Sequence, residues 1–175
     1  MKMTKRIVAL ILATLTVFAV FSFTACVGGA KGVAKNFCNF MKDYKYEKLV
    51  DLLPANYLKE WLDENDMTKS ELVKALKSLA EDAKEEAEDE DYKITKIEVY
   101  NEKDMKNSEI KDLKEQYEDY KLDIKDGKYI TMKVTATVDG DKNTEKSDIP
   151  VIRVGGKWCL VPSVVSYYLR AAKNA

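Results

Sequence analysis

The chain contains no histidine, and that single absence removes Ser-His-Asp and Cys-His nucleophile pairs, histidine general bases and nearly every common zinc site. Arginine is almost as scarce. It stands only at positions 6, 153 and 170, so the rigid bidentate forks that clamp phosphate or carboxylate are few, which disfavours phosphoryl transfer. Phosphate-binding glycine loops and nucleophile-elbow motifs are missing too. Acid chemistry is plentiful by comparison, but Asp and Glu fall on polar helix faces and turns, where their ordinary role is solubility. A dense acidic run, Glu81 to Asp91, lacks the alternating ligands and the glycine turn of a calcium loop. No catalytic residue, metal ligand or cofactor site is therefore assigned.

Charge of one sign is also lacking. The formal net charge is −1, and since Lys2, Lys5 and Arg6 precede any acid, the chain beyond residue 25 carries 26 basic and 30 acidic side chains, or −4. Bases and acids alternate along it. Nucleic acid, which needs clustered Lys and Arg, is excluded as the main partner.

What the sequence does have is a leader. A short basic stretch, Met1 to Arg6, runs into the apolar segment Ile7 to Phe23, broken only by Thr14, Thr16 and Ser22, and then into the small pair Thr24-Ala25. This is the grammar of a secretory signal. The next residue is a cysteine, and Phe23-Thr24-Ala25-Cys26 resembles the lipobox of bacterial lipoproteins, although that family usually has Leu where this chain has Phe23. The resemblance implies cleavage before Cys26 and a diacylglyceryl group on its sulfur, with the protein anchored by lipid to the outer face of the cell membrane. An ordinary cleaved signal and an uncleaved single membrane helix are the alternatives, and both also place the remainder outside the cytoplasm. The expected organisation is a signal peptide over 1–25, a lipidated cysteine with a flexible tether over 26–32, and one domain over 33–175, a length that suits a single core.

Within that domain, Val33, Phe37, Phe40, Met41 and Tyr44 recur at helical spacing, and a break is expected near Asp43 to Tyr46. Pro54 suits the first turn of a second helix with Tyr57, Leu58, Trp61 and Leu62 inward. Thr68-Lys69-Ser70-Glu71 is a capping box that opens a third, with Leu72, Val73, Leu76, Leu79, Ala80, Ala83 and Ala87 on its inner face. Tyr92 to Tyr100 reads as a strand. Ser108 is placed to cap a further helix carrying Ile110, Leu113, Tyr117 and Tyr120 on one side. After an expected turn at Asp126-Gly127, Ile130 to Val138 alternates apolar and polar residues with period two. A turn over Asp139 to Asn143 leads to a strand over Ser147 to Val154, in which Pro150 favours an edge or a bulge. Gly155-Gly156 then forms a tight hairpin into Lys157 to Val161, which Pro162 ends.

Helices first, then a strand, a helical insertion and three antiparallel strands give an α+β fold with N-terminal helices packed on an antiparallel sheet. The Asp43-Tyr44-Lys45-Tyr46 break, the Asp-Gly step before a long Thr-rich strand and the closing Gly156-Lys157-Trp158-Cys159-Leu160-Val161 segment resemble the nuclear transport factor 2-like (cystatin-like) fold, and more narrowly the lipoproteins of unknown function that carry it. That resemblance implies a curved sheet wrapped against helices into a cone, in some members with a pocket at its open end. Phe37, Met41, Trp61, Met132 and Trp158 are then candidate pocket lining, with plain core as the competing role. Cys38 and Cys159 form a candidate disulfide outside the cell, with two buried free thiols as the alternative. Asp148, beside Ile149 in a strand, is the carboxylate to inspect first for chemistry.

Three functions compete. The first is a tethered, non-catalytic binding module for a small apolar ligand or an envelope protein. The second is a histidine-free enzyme using Tyr and carboxylate groups in the cone. The third is a packing domain that docks a partner through exposed tyrosines, Tyr117 and Tyr120 among them.

Overall fold

A computed structural model describes residues 29–175; the leader and Cys26 lie outside the described residues. The described chain is α+β, as expected, with a four-stranded antiparallel sheet in the order β1-β2-β3-β4. Its elements are α1 (Gly29–Lys42), a 3-10 helix (Tyr46–Leu52), α2 (Ala55–Glu64), α3 (Lys69–Asp89), β1 (Lys93–Asp104), α4 (Asn107–Gln116), β2 (Ile124–Val138), β3 (Asp141–Val154), β4 (Lys157–Leu160), a second 3-10 helix (Pro162–Val165) and α5 (Ser166–Lys173).

Helix α1 crosses one face of the sheet and touches all four strands. It starts at Gly29 rather than at Val33, and Ala30 is already buried, so the structured part reaches into the stretch expected to be tether. The break that follows is a Schellman motif: the Lys45 N–H donates to the Phe40 carbonyl and the Tyr44 N–H to the Met41 carbonyl, with Tyr44 in the left-handed region at φ 52°. Helices α2 and α3 end the same way, on Asp66 (φ 48°) and Asp91 (φ 44°). Pro54 stands one residue before α2 rather than inside its first turn. The capping box of α3 is complete: Thr68 Oγ1 accepts from the Glu71 N–H at 3.2 Å and Glu71 Oε2 accepts from the Thr68 N–H at 2.8 Å. Helix α3 packs on the first 3-10 helix and on α5. Buried Tyr46 meets Tyr168 of α5 edge to face at 5.1 Å.

Strand β1 outruns its expected end by four residues, and a bulge between Ile94 and Lys96 brings both Ile94 and Ile97 inward. Strand β2 buries Ile130, Met132, Val134 and Ala136 on the α1 face. Asp126-Gly127 is not a turn. It lies within β2 at a register shift, and a Cβ on Gly127 would run into the Met105 side chain, so glycine is required there for close approach and not for turning.

The true turns are Asp139-Gly140 (φ 51° and 85°) and Gly155-Gly156 (φ 55° and 84°), whose paired positive φ values define the tight hairpin geometry. Pro150 sits in β3 beyond the end of β4. Its carbonyl accepts from the Val161 N–H, and since N and O of one strand residue point the same way, the N–H that proline lacks would face the side where β4 has ended. Strand β4 pairs only with Val151 to Val154, so among the described residues Asp141 to Ile149 pair with β2 alone.

Helix α4 lies over the second face. Tyr129 has the opposite parity to Ile130, and its hydroxyl donates to Glu109 of α4 at 3.0 Å. Ser108 does not cap this helix; Lys106 occupies the N-cap position, and its N–H donates to the Glu109 carboxylate at 2.6 Å.

Candidate functional site

A groove of about 850 Å³ lies at the end of the described chain where α1 begins. Five segments form it: Gly29 of α1, the junction from Val50 to Leu58, Lys69 at the start of α3, the loop after α4 at Lys121 and Asp123, and the β3–β4 hairpin from Val154 to Cys159. Chain geometry explains the convergence. The left-handed Gly155-Gly156 pair carries β4 straight back, and Lys121 at φ 50° turns the loop after α4 towards β2. The floor is apolar, with Leu53, Leu58, Val154 and Trp158, and the rim is charged, with Asp51, Lys69, Lys121, Asp123 and Lys157. Asp51 pairs with Lys69 at 3.4 Å, and Asp123 pairs with Lys125 at 2.7 Å. Lys121 and Lys157 have no ion pair among the described residues.

The start of α1 is clamped beside this groove. Lys31 meets Glu102 of β1 at 2.7 Å, and Lys128 of β2 reaches Glu102 at 2.8 Å and Asp104 at 2.7 Å. These contacts hold the Lys128 ammonium well above its usual range, the Asp104 and Glu102 hydrogen bonds being the cause.

Of the five candidate lining residues, only Trp158 reaches the groove. Phe37, Met41, Trp61 and Met132 are sealed in the core, where such large apolar side chains go when helices close over a sheet of this size. Cys38 and Cys159 are free thiols and not a disulfide. Cys38 is fully enclosed as a small apolar residue of α1, and burial pushes its thiol up. Cys159 borders the groove, and burial raises its thiol as well, against the opposing pull of Lys157.

No relative emerges. Comparison of the chain with family models, curated proteins and solved structures finds no match.

A second, shallower depression of about 300 Å³ lies between α4 and the outer sheet face. It contains the pair closest to Tyr and carboxylate chemistry, Tyr129 and Glu109. The Lys106 N–H and the Tyr129 hydroxyl both bond the Glu109 carboxylate and hold it below the usual range, and burial with the adjacent Glu109 raises the Tyr129 phenol. Those shifts keep the acid ionised and the phenol protonated, which suits a structural link and not proton transfer near neutral pH. Asp148 is exposed and accepts from the Thr131 hydroxyl at 2.5 Å across the β2–β3 ladder. It is a cross-strand contact and not a buried acid.

Tyr117 and Tyr120 are not an exposed docking face. Tyr57, Tyr117 and Tyr120 form a ring cluster with centroids 4.7 to 6.2 Å apart, Tyr117 is buried, and its hydroxyl accepts from the Ser163 N–H at 3.2 Å. This cluster ties α2, the loop after α4 and the second 3-10 helix together. Burial, followed by the neighbouring phenols, pushes the Tyr57 hydroxyl up to about 12. The groove rim was not foreseen. Its lysines are unremarkable in sequence, and only the fold gathers them.

Among the described residues no group of His, Cys, Asp or Glu is arranged to hold a metal ion, and no helix is long and apolar enough to cross a membrane.

Proposed function

We propose that this chain is a lipoprotein, moored to the outer face of the cell membrane by a diacylglyceryl group on Cys26, whose single domain binds rather than catalyses. The observation that carries the reading is the place of the groove: a concavity of about 850 Å³ borders Gly29, three residues from the cysteine of the lipobox-like segment. A site built for a ligand of the cell surface belongs at that end.

The narrower kinship with the nuclear transport factor 2-like fold is included in the proposal; what supports it is the α+β layout, with α1 across one face of a four-stranded antiparallel sheet, and not the curled cone, since this sheet is uncurled. The catalytic alternative is less well supported, because the Tyr129 and Glu109 pair is locked in the protonation states of a structural hydrogen bond.

Replacement of Cys26 by Ala tests the tether. The natural chain is expected in the membrane fraction with a mass increased by the lipid, and Cys26→Ala is expected unacylated, with its leader uncleaved or the protein released. An unmodified natural chain recovered from the cytosol overturns the proposal.

A further inference from the structure

We infer that the groove beside α1 receives the anionic head group of a membrane phospholipid, with Lys121 and Lys157 on its rim and the Trp158 indole against the glycerol and upper acyl region. The inference deepens the tethered reading and rests on it. Its first support is reach. An extended chain spans at most about 3.6 Å per residue, so a lipid on Cys26 keeps Gly29, and with it the groove, within roughly 11 Å of the anchoring point. The polar layer of a bilayer is of comparable thickness, so the head groups of the lipids around the anchor lie inside that radius.

The second support is chemical fit. The two acids on the rim are engaged by Lys69 and Lys125, whereas Lys121 and Lys157 are exposed and without an ion pair among the described residues. The Leu53, Leu58 and Val154 floor accepts the non-polar part of an amphiphile. Trp158, half-buried at the boundary, has the amphipathic ring that favours the interface between lipid and water.

The chain beyond residue 25 carries −4, so its net charge repels an anionic surface. Attraction must come from the placement of these lysines. The neutral arm of the test is therefore informative.

The experiment uses the full acylated protein reconstituted into vesicles of phosphatidylcholine, with or without phosphatidylglycerol, and reads quenching of Trp158 by brominated acyl chains in a Trp61→Phe background. Quenching is expected to be stronger with brominated phosphatidylglycerol than with brominated phosphatidylcholine. Lys121→Gln and Lys157→Gln should each weaken that preference roughly five-fold, the contribution of one lysine near an anionic surface. The Lys121→Glu and Lys157→Glu variants should weaken it more, and circular dichroism should stay unchanged because both side chains are exposed.

Equal quenching by the two lipids, or indifference to charge reversal, overturns the inference. Relief of quenching by soluble glycerol phosphate at concentrations similar to those of the lipid would also overturn it, assigning the groove to a free phosphate ester. Loss of the preference in a protein whose acylation is verified by mass refutes the groove alone. An unacylated protein refutes the tether first.

Discussion

Gly127→Ala is the substitution whose sign separates two accounts of the Asp126-Gly127 step. If glycine served only to loosen the chain, alanine would stabilise the strand by about 0.4–1 kcal/mol, because it lowers the entropy of the unfolded state and Gly127 has no positive φ to protect. The structure puts the Met105 thioether where the new methyl would go, with the rest of that side chain close behind and the Met105 N–H bonded to the Gly127 carbonyl at 2.9 Å. Met105 is buried and tied by its backbone to the same residue, so the side chain has little room to retreat. Overpacking of this kind costs about 1–3 kcal/mol, so the net effect is a loss.

Met105→Ala alone leaves a cavity and costs roughly 2–5 kcal/mol. In the double variant the methyl occupies vacated space, and the penalty of Gly127→Ala should vanish or reverse, giving a coupling energy of at least about 1 kcal/mol. Urea unfolding of the four proteins, monitored by circular dichroism, measures the cycle. Additive losses, or a stabilising Gly127→Ala in the natural background, would refute the steric argument and return the glycine to a purely conformational role.

Thr68→Ala removes the hydroxyl half of the α3 capping box and should lower stability by about 1 kcal/mol, read as a shift of the urea midpoint without a change of slope. Tyr117→Phe deprives the Ser163 N–H of its acceptor and should cost roughly 0.5–1.5 kcal/mol, with faster amide exchange at Ser163 as the local signature. Tyr129→Phe should raise the Glu109 carboxyl towards its ordinary value, measurable by carboxyl NMR titration. Since the folded-state value is lowered, the contribution of Glu109 to stability is present above the ordinary carboxylate range and is lost as pH falls through the folded-state value; the variant should shift that loss to higher pH. In the native protein Cys38 should resist alkylation while both thiols react in urea without reductant, and the finding of a disulfide between Cys38 and Cys159 would contradict the geometry described.

Legibility followed the strength of local chemistry. The Thr68 box, the Gly155-Gly156 hairpin and the alternation from Ile130 to Val138 each specify their own conformation, and each stands where periodicity and turn rules put it. Helix ends were harder. The end at Tyr44 falls inside the break expected near Asp43 to Tyr46, but α2 and α3 close on Asp66 and Asp91 in left-handed conformations that usually belong to glycine, and no residue in the sequence advertised those two.

Asp126-Gly127 misled because the same dipeptide serves a hairpin and a crowded strand, and only Met105, distant along the chain, distinguishes the two. A turn is expected over Asp139 to Asn143 and a strand only from Ser147, because Asp141 to Lys146 is uniformly polar, yet β3 begins at Asp141, its backbone needing only β2 for a partner. The groove was invisible for a related reason. Its walls come from five separated segments, and tertiary packing alone selected Trp158 from among the five candidate lining residues to face it.

That one-sided stretch of β3 has a consequence for neighbours. From Asp141 to Ile149 the strand offers a free row of amides and carbonyls, the template along which two identical chains could join. Lys142, Glu145, Lys146 and Asp148 stud that row. Molecules confined to a common plane meet edge to edge far more often than they do in free solution. Side chains that keep their water let such molecules crowd together and remain separate.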